Sequence, residues 1–144
     1  MTVPGTSPDY GYKFDNWTPT LPLGTDTITA DVTYTANFVK DEELWHTVTF
    51  AAGDHGSLAE GAQTVFADIL DGTAWGEVVT VPEYVADHGY MFDKWSAEFP
   101  DEVTESATYT ATFKKDPSKW HTVTFVPGAN GSLIGDTEFA DILN

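Results

Sequence analysis

His46 and His121 each follow a tryptophan and open a His-Thr-Val-Thr-Phe run, so an imidazole stands at the same place in two copies of one motif. Histidine carries protons near neutral pH and ligates metals, but a zinc site needs three or four converging ligands. Neither histidine has a second histidine or a carboxylate at ligand spacing, which points to a half-buried strand residue. Asp15 and Asp93 sit alike in two Phe-Asp-x-Trp motifs. Two carboxylates do general acid–base work when their surroundings separate their pKa values in one pocket; an identical acid in each copy points instead to a turn or cap. Asp41-Glu42-Glu43 and Asp101-Glu102 offer the oxygen ligands that calcium takes, yet they lack the alternating spacing of a calcium loop and read as solvated. Lys13 and Lys94, beside aromatic strand residues, have the chemistry for an isopeptide crosslink. Met91 and Asn16 replace them in the other copy.

Other local patterns carry less. Leu21-Pro22-Leu23-Gly24-Thr25 has the outline of a sortase signal, but glycine precedes the threonine and no hydrophobic tail follows, so a loop is expected. Asn16-Trp17-Thr18 and Asn130-Gly131-Ser132 fit the glycosylation acceptor pattern. Trp75, between Gly72 and Gly76, has no second copy in the chain; it reads as a core lid, with ligand contact as the sharper alternative. No catalytic, cofactor-binding or metal-ligating residue is expected, and no cofactor.

These residues are positioned by repetition. Gly11-Tyr12-Lys13-Phe14-Asp15-Asn16-Trp17 matches Gly89-Tyr90-Met91-Phe92-Asp93-Lys94-Trp95, and Thr33-Tyr34-Thr35-Ala36-Asn37-Phe38 matches Thr108-Tyr109-Thr110-Ala111-Thr112-Phe113. Phe66-Ala67-Asp68-Ile69-Leu70 recurs as Phe139-Ala140-Asp141-Ile142-Leu143, and the offsets are 73 to 78 residues. Such a period marks an array of structural modules. One complete unit runs over 46–115, preceded by the second half of a unit at 1–40 and followed by the first half of another at 120–144. A permuted frame of 2–71 and 80–144 divides the chain equally well. Met1 runs straight into the middle of a repeat, as expected of an excised fragment.

Composition narrows the partners. The chain has 144 residues, 23 of them acidic against six basic, for a net charge of −17. All six basic residues are lysine. Nucleic acid and anionic membranes are recognised through clustered Lys and Arg, so neither is an expected partner. There is no cysteine, hence no disulfide framework and no thiolate chemistry. No apolar run approaches the ~20 residues of a membrane-spanning helix.

Val32, Tyr34, Ala36 and Phe38 alternate with polar residues, the strongest strand signal in the chain, and His46, Val48 and Phe50 do the same. Trp17 is out of phase with Tyr12 and Phe14, which calls for a bulge or strand end. Gly53-Asp54-His55-Gly56 and Gly128-Ala129-Asn130-Gly131 read as hairpin turns. Phe66, Ile69 and Leu70 share one face of a short helix that Gly72 would cap. The charged stretches 40–43 and 114–119 read as linkers. The expected class is α+β and strand-rich, with one short helix in each module.

His-Thr-Val-Thr-Phe with Gly-Ser-Leu behind it, then Gly-Tyr-x-Phe-Asp-x-Trp and Thr-Tyr-Thr-Ala-x-Phe, resemble the internalin B-type repeats, also called Listeria/Bacteroides repeats, in their divergent form. The resemblance covers nearly the whole chain. It implies tandem small β-grasp-like modules on a secreted or wall-anchored bacterial surface protein, and it brings no catalytic residues. The stretch 66–77 is longer than the family pattern, which leaves the topology there open. The expected role is a non-catalytic extracellular stalk or spacer; the alternative is an adhesin module contacting a host protein or glycan. Self-association through the half units is also expected, because unpaired sheet edges template another chain.

Overall fold

A computed structural model describes residues 2–144. Its regular elements are almost all strands: among the described residues there are twelve, with one 3-10 turn at Glu42–Leu44 and one four-residue helix, α1, at Trp75–Val78. The chain divides into two compact units. One holds the chain up to Thr47 with Phe66–Val78 and Pro100–Ser106; the other holds Val48–Val65, Val79–Phe99 and Ala107–Asn144.

In the first unit β1 (Tyr12–Thr18) pairs antiparallel with β2 (Thr35–Lys40), and the register slips between Phe14 and Asn16. Asp15 is the extra residue. It shifts the phase by one and returns Trp17 toward the side of Phe14, whose ring lies 5.9 Å away, as the phase break in the sequence requires. Strand β3 (Trp45–Ala52) starts in this unit, with β5 (Val65–Leu70) beside it. Strand β6 (Thr73–Ala74) pairs with β9 (Glu102–Val103). His46, Phe66, Ile69 and Val103 are buried in this unit.

In the second unit the later part of β3 pairs in parallel with β10 (Ala107–Lys115), from Ala107 opposite Val48 to Ala111 opposite Ala52. On its other edge β10 pairs antiparallel with β8 (Tyr90–Trp95), with a slip that isolates Asp93 as β1 isolates Asp15. Phe50, Trp95, Phe99 and Tyr109 form one aromatic cluster, with ring centroids 5.0 to 6.0 Å apart. Val48 and Ala111 are fully enclosed. Strand β4 (Gly56–Leu58) pairs with β7 (Tyr84–Ala86), and β11 (Trp120–Thr124) with β12 (Glu138–Leu143).

Three expectations are corrected. The helix expected over Phe66, Ile69 and Leu70 is strand β5. Asp68 adopts φ 56°, and its copy Asp141 adopts φ 58° in β12. A left-handed residue inside a strand makes a bulge, and that bulge puts Phe66 and Ile69, three apart, on the same buried side. The turn at 53–56 forms, with His55 at φ 69°, but it does not close a hairpin, because β4 pairs with β7 and not with β3. The strand expected from Val32 begins only at Thr35, whereas its copy β10 begins at Ala107, the residue matching Val32. The three residues lost are counterparts of Ala107–Tyr109, which β10 pairs with β3.

Candidate functional site

The residues that recur with matching geometry build a joint, one copy in each unit. Its centre is a glycine at the entrance of a strand. Tyr12 N–H donates to Asp9 O at 3.0 Å, a turn that leaves Gly11 buried at φ +87°. The Gly11 carbonyl accepts two hydrogen bonds, from the Trp45 indole Nε1–H at 2.7 Å and from Asp41 N–H at 2.9 Å. Any Cβ on residue 11 would stand 2.6 Å from Leu70 Cδ1 and 3.1 Å from Trp45 Nε1. The leucine tip and the indole would have to give way to a side chain there, and the left-handed backbone strains any residue but glycine.

Side chains close over this contact. Lys40, the last residue of β2, places Nζ 4.3 Å from the centre of the Trp45 ring and 2.6 Å from Asp68 Oδ1. One ammonium thus serves the negative π-face and a carboxylate together. The Tyr12 ring meets Trp45 edge-on at 6.0 Å and 74°. Asp41 caps the 3-10 turn, accepting from Glu43 N–H, and Asp71 receives the Tyr10 hydroxyl at 3.0 Å while its other oxygen lies 2.8 Å from His46 Nε2.

The second copy repeats the set. Gly89, again buried at φ +87°, accepts from Trp120 Nε1–H at 2.6 Å and from Asp116 N–H at 2.9 Å. Its absent Cβ would meet Leu143 Cδ1 at 2.5 Å. Lys115 lies 4.5 Å over the Trp120 ring and 2.7 Å from Asp141 Oδ1. Tyr90 meets Trp120 edge-on at 5.9 Å and 78°. Two positions differ: His88 stands for Tyr10 and Asn144 for Asp71, and there His88 Nε2 bonds to the Asn144 carbonyl at 2.7 Å.

The stretches 40–43 and 114–119, read as linkers, are therefore parts of the joint, held by Lys40, Asp41, Lys115 and Asp116. Each copy could have been found as a set in the sequence, since the lysine after the Tyr-rich strand, the tryptophan before His-Thr-Val-Thr-Phe and the aspartate of Phe-Ala-Asp-Ile-Leu all recur. The conspicuous histidine is secondary. His46 is buried against Asp71, whereas His121 is exposed, and no group of three or more His, Asp or Glu gathers as a metal site among the described residues. Asp93 pairs with Lys114 at 3.0 Å, and Lys13 lies exposed, 3.4 Å from Asp41. Leu23 N–H bonds to Asp26 in a turn, as expected of a loop there. Trp75 opens α1 half-buried.

A second feature also recurs. An open groove of about 770 Å³ follows Trp17 and is lined by Phe14, Trp17, Pro19 and Leu21; another of about 600 Å³ follows Trp95 and is lined by Trp95, Glu98 and Phe99.

Substitution tests the glycines directly. Gly11→Ala and Gly89→Ala should each destabilise by about 1–3 kcal/mol through a left-handed backbone forced on a Cβ. Gly76→Ala, in α1 with open space around it, should be neutral or stabilising by up to about 1 kcal/mol. Thermal unfolding of the three variants checks the order.

The first joint also carries a pH signature. Hydrogen bonds from His46 and then Tyr10 hold the Asp71 carboxyl below its ordinary value of 3.8. Its bond to Asp71 raises the Tyr10 phenol above 10.0, and its bond to Asp68 raises the Lys40 ammonium above 10.5. A depressed carboxyl contributes stability that is present above its unfolded value and is lost as pH falls through the folded one; the raised groups contribute stability that is lost as pH climbs through theirs. The joint should hold across the neutral range and loosen below pH 3.8 and above 10. Asp71→Asn should flatten the acid limb in a pH series of unfolding midpoints.

Residues 5–42 match the family model described as the divergent InlB B-repeat domain. No curated protein and no solved structure matches the chain. The matched span contains the glycine, the bulged Phe-Asp-x-Trp strand and the lysine of the first joint, so these residues of the first joint are similar to the divergent InlB B-repeat domain.

Proposed function

We propose that the chain is a non-catalytic spacer of a bacterial surface protein, made of tandem β-grasp-like modules that the repeated joint fixes end to end. The observation that carries this reading is the recurrence of the joint: glycine carbonyl, indole, lysine and bulge aspartate meet within a few tenths of an ångström alike in both copies. A flexible string of modules would have no use for two copies of so constrained a contact. The joints fall at 40–45 and 115–120, which favours a module at 46–115 over the permuted frame. Within that module the parallel pairing of β3 with β10 and the antiparallel pairing of β8 support the β-grasp-like description. A surplus of negative charge suits a spacer exposed to solvent, since it resists collapse and adventitious association. The match of residues 5–42 to the divergent InlB B-repeat domain supports a surface location and a non-catalytic role.

The grooves after Trp17 and Trp95 favour a second reading, an adhesin module that contacts a host protein or glycan through those aromatic loops. Binding that Trp17→Ala or Trp95→Ala abolishes, with the joints intact, would select it.

The spacer reading is tested by backbone ¹⁵N relaxation. Amides of β1 and β2 should share one rotational correlation time with those of Trp45–Thr47 and of Phe66–Leu70. In a Gly11→Ala/Lys40→Ala double variant, β1 and β2 should gain independent nanosecond motion. Independent motion in the unsubstituted chain would overturn the reading.

A further inference from the structure

We propose that the open face of β11 and β12 takes up the β1–β2 segment of a second copy of this chain, with Val32–Ala36 lying parallel to Val123–Pro127. The module frame above underlies this proposal, but the spacer role does not.

The template is inside the chain. Strand β3 and the Phe-Ala-Asp-Ile-Leu strand β5 are covered residues: Val48 is 1% exposed, Phe50 3% and Phe66 8%. Their copies in β11 and β12 are open, with Val123 at 43%, Phe125 at 55% and Phe139 at 46%. What covers Val48 and Phe50 is β10, through Ala107, Tyr109 and Ala111, with Trp95 of β8 beyond. The segment that matches β8 and β10 in sequence is β1–β2, and its matching residues, Val32, Tyr34 and Ala36, are not paired to any strand edge other than that of β1. Strand lengths give the same answer. Where β10 has nine residues β2 has six, and where β3 has eight β11 has five. Each is short by three of the five residues that the β3·β10 ladder would use.

The backbone is compatible as well. Phe50 N–H points away from β10, to Thr64 O at 2.8 Å, while Gly53 N–H reaches Ala111 O at 2.9 Å. Amide direction alternates along a strand, so the amide of Ala52 also points away. Pro127, at the place of Ala52, therefore removes no hydrogen bond from the incoming strand. Phe125 N–H already bonds to Thr137 O at 2.7 Å, and Gly128 matches Gly53. Charge opposes the union, because each chain carries −17. Association driven by apolar burial against like charge strengthens as salt screens the repulsion, over a Debye length of about 10 Å at 0.1 M. A partner selected by opposite charge would show the reverse.

Light scattering on the full chain tests the proposal with two variants at exposed positions. Phe125→Asp spoils the accepting face and Val32→Asp the donated strand, and both lie outside the joints. The unsubstituted chain should grow beyond 15.7 kDa with concentration and with salt. Each variant alone should stay monomeric. An equimolar mixture should form a dimer and stop, because one good strand meets one good face. A mass fixed at 15.7 kDa under all conditions, a mixture that stays monomeric, or variants that associate as the unsubstituted chain does would each overturn it. A failure here leaves the relaxation of the first joint unchanged, so the module reading and this proposal fail separately.

Discussion

The whole arrangement depends on a carbonyl that must lie within hydrogen-bond reach of an indole. Gly11 and Gly89 accept from Trp45 and Trp120 at 2.7 and 2.6 Å, and a side chain on the accepting residue would crowd the indole, at 3.1 to 3.2 Å from its Nε1. The glycine is therefore forced by geometry and by its φ of +87°. Once the indole is fixed, the remaining partners have one place to go: the lysine over its face, the tyrosine at its edge, the leucine under the glycine. The ion pairs between lysine and aspartate are solvent-exposed and contribute little by themselves; they orient a lysine whose alkyl stem covers the ring. The same few residues thus tie a strand entrance, a short charged turn and the end of a bulged strand into one contact.

Strand formation in the rest of the chain tracks the presence of partners more closely than it tracks local sequence. Thr33-Tyr34-Thr35-Ala36 and Thr108-Tyr109-Thr110-Ala111 are identical, yet only the second is strand throughout. Gly56-Ser57-Leu58 is strand β4 because β7 lies beside it, while Gly131-Ser132-Leu133 is irregular. Identical segments with different pairing separate propensity from context, and context decides. Aromatic residues follow the same rule: Phe50 sits buried among Trp95, Phe99 and Tyr109, and Phe125 is exposed, with the Phe139 ring at 6.1 Å.

Much of this was legible in the residues. Alternation located β3 and the end of β2, the phase of Trp17 demanded the bulge at Asp15, and the repeated blocks led to the family that residues 5–42 match. The failures have two causes. The spacing of Phe66, Ile69 and Leu70 is helical on paper because periodicity counts residues, and a bulge changes the count; Asp68 at φ 56° inserts the extra residue. The charged stretches around Asp41 and Asp116 looked like linkers because their partners, the glycine carbonyls and the bulge aspartates, are some distance away in sequence. Lys40 is joined to Asp68 across 28 residues, a relation that only the recurrence of both in the second copy could have suggested.

Hydrogen exchange of the tryptophan indole protons, followed as separate ¹H–¹⁵N signals, tests the central contact most directly. The Trp45 and Trp120 indoles, each donating to a buried glycine carbonyl, should exchange much more slowly than those of Trp17 and Trp95, whose rings line open grooves. Exchange of Trp45 and Trp120 at the rate of the groove tryptophans would mean that the carbonyl–indole bond does not hold in solution, and the account of the joint would fall with it.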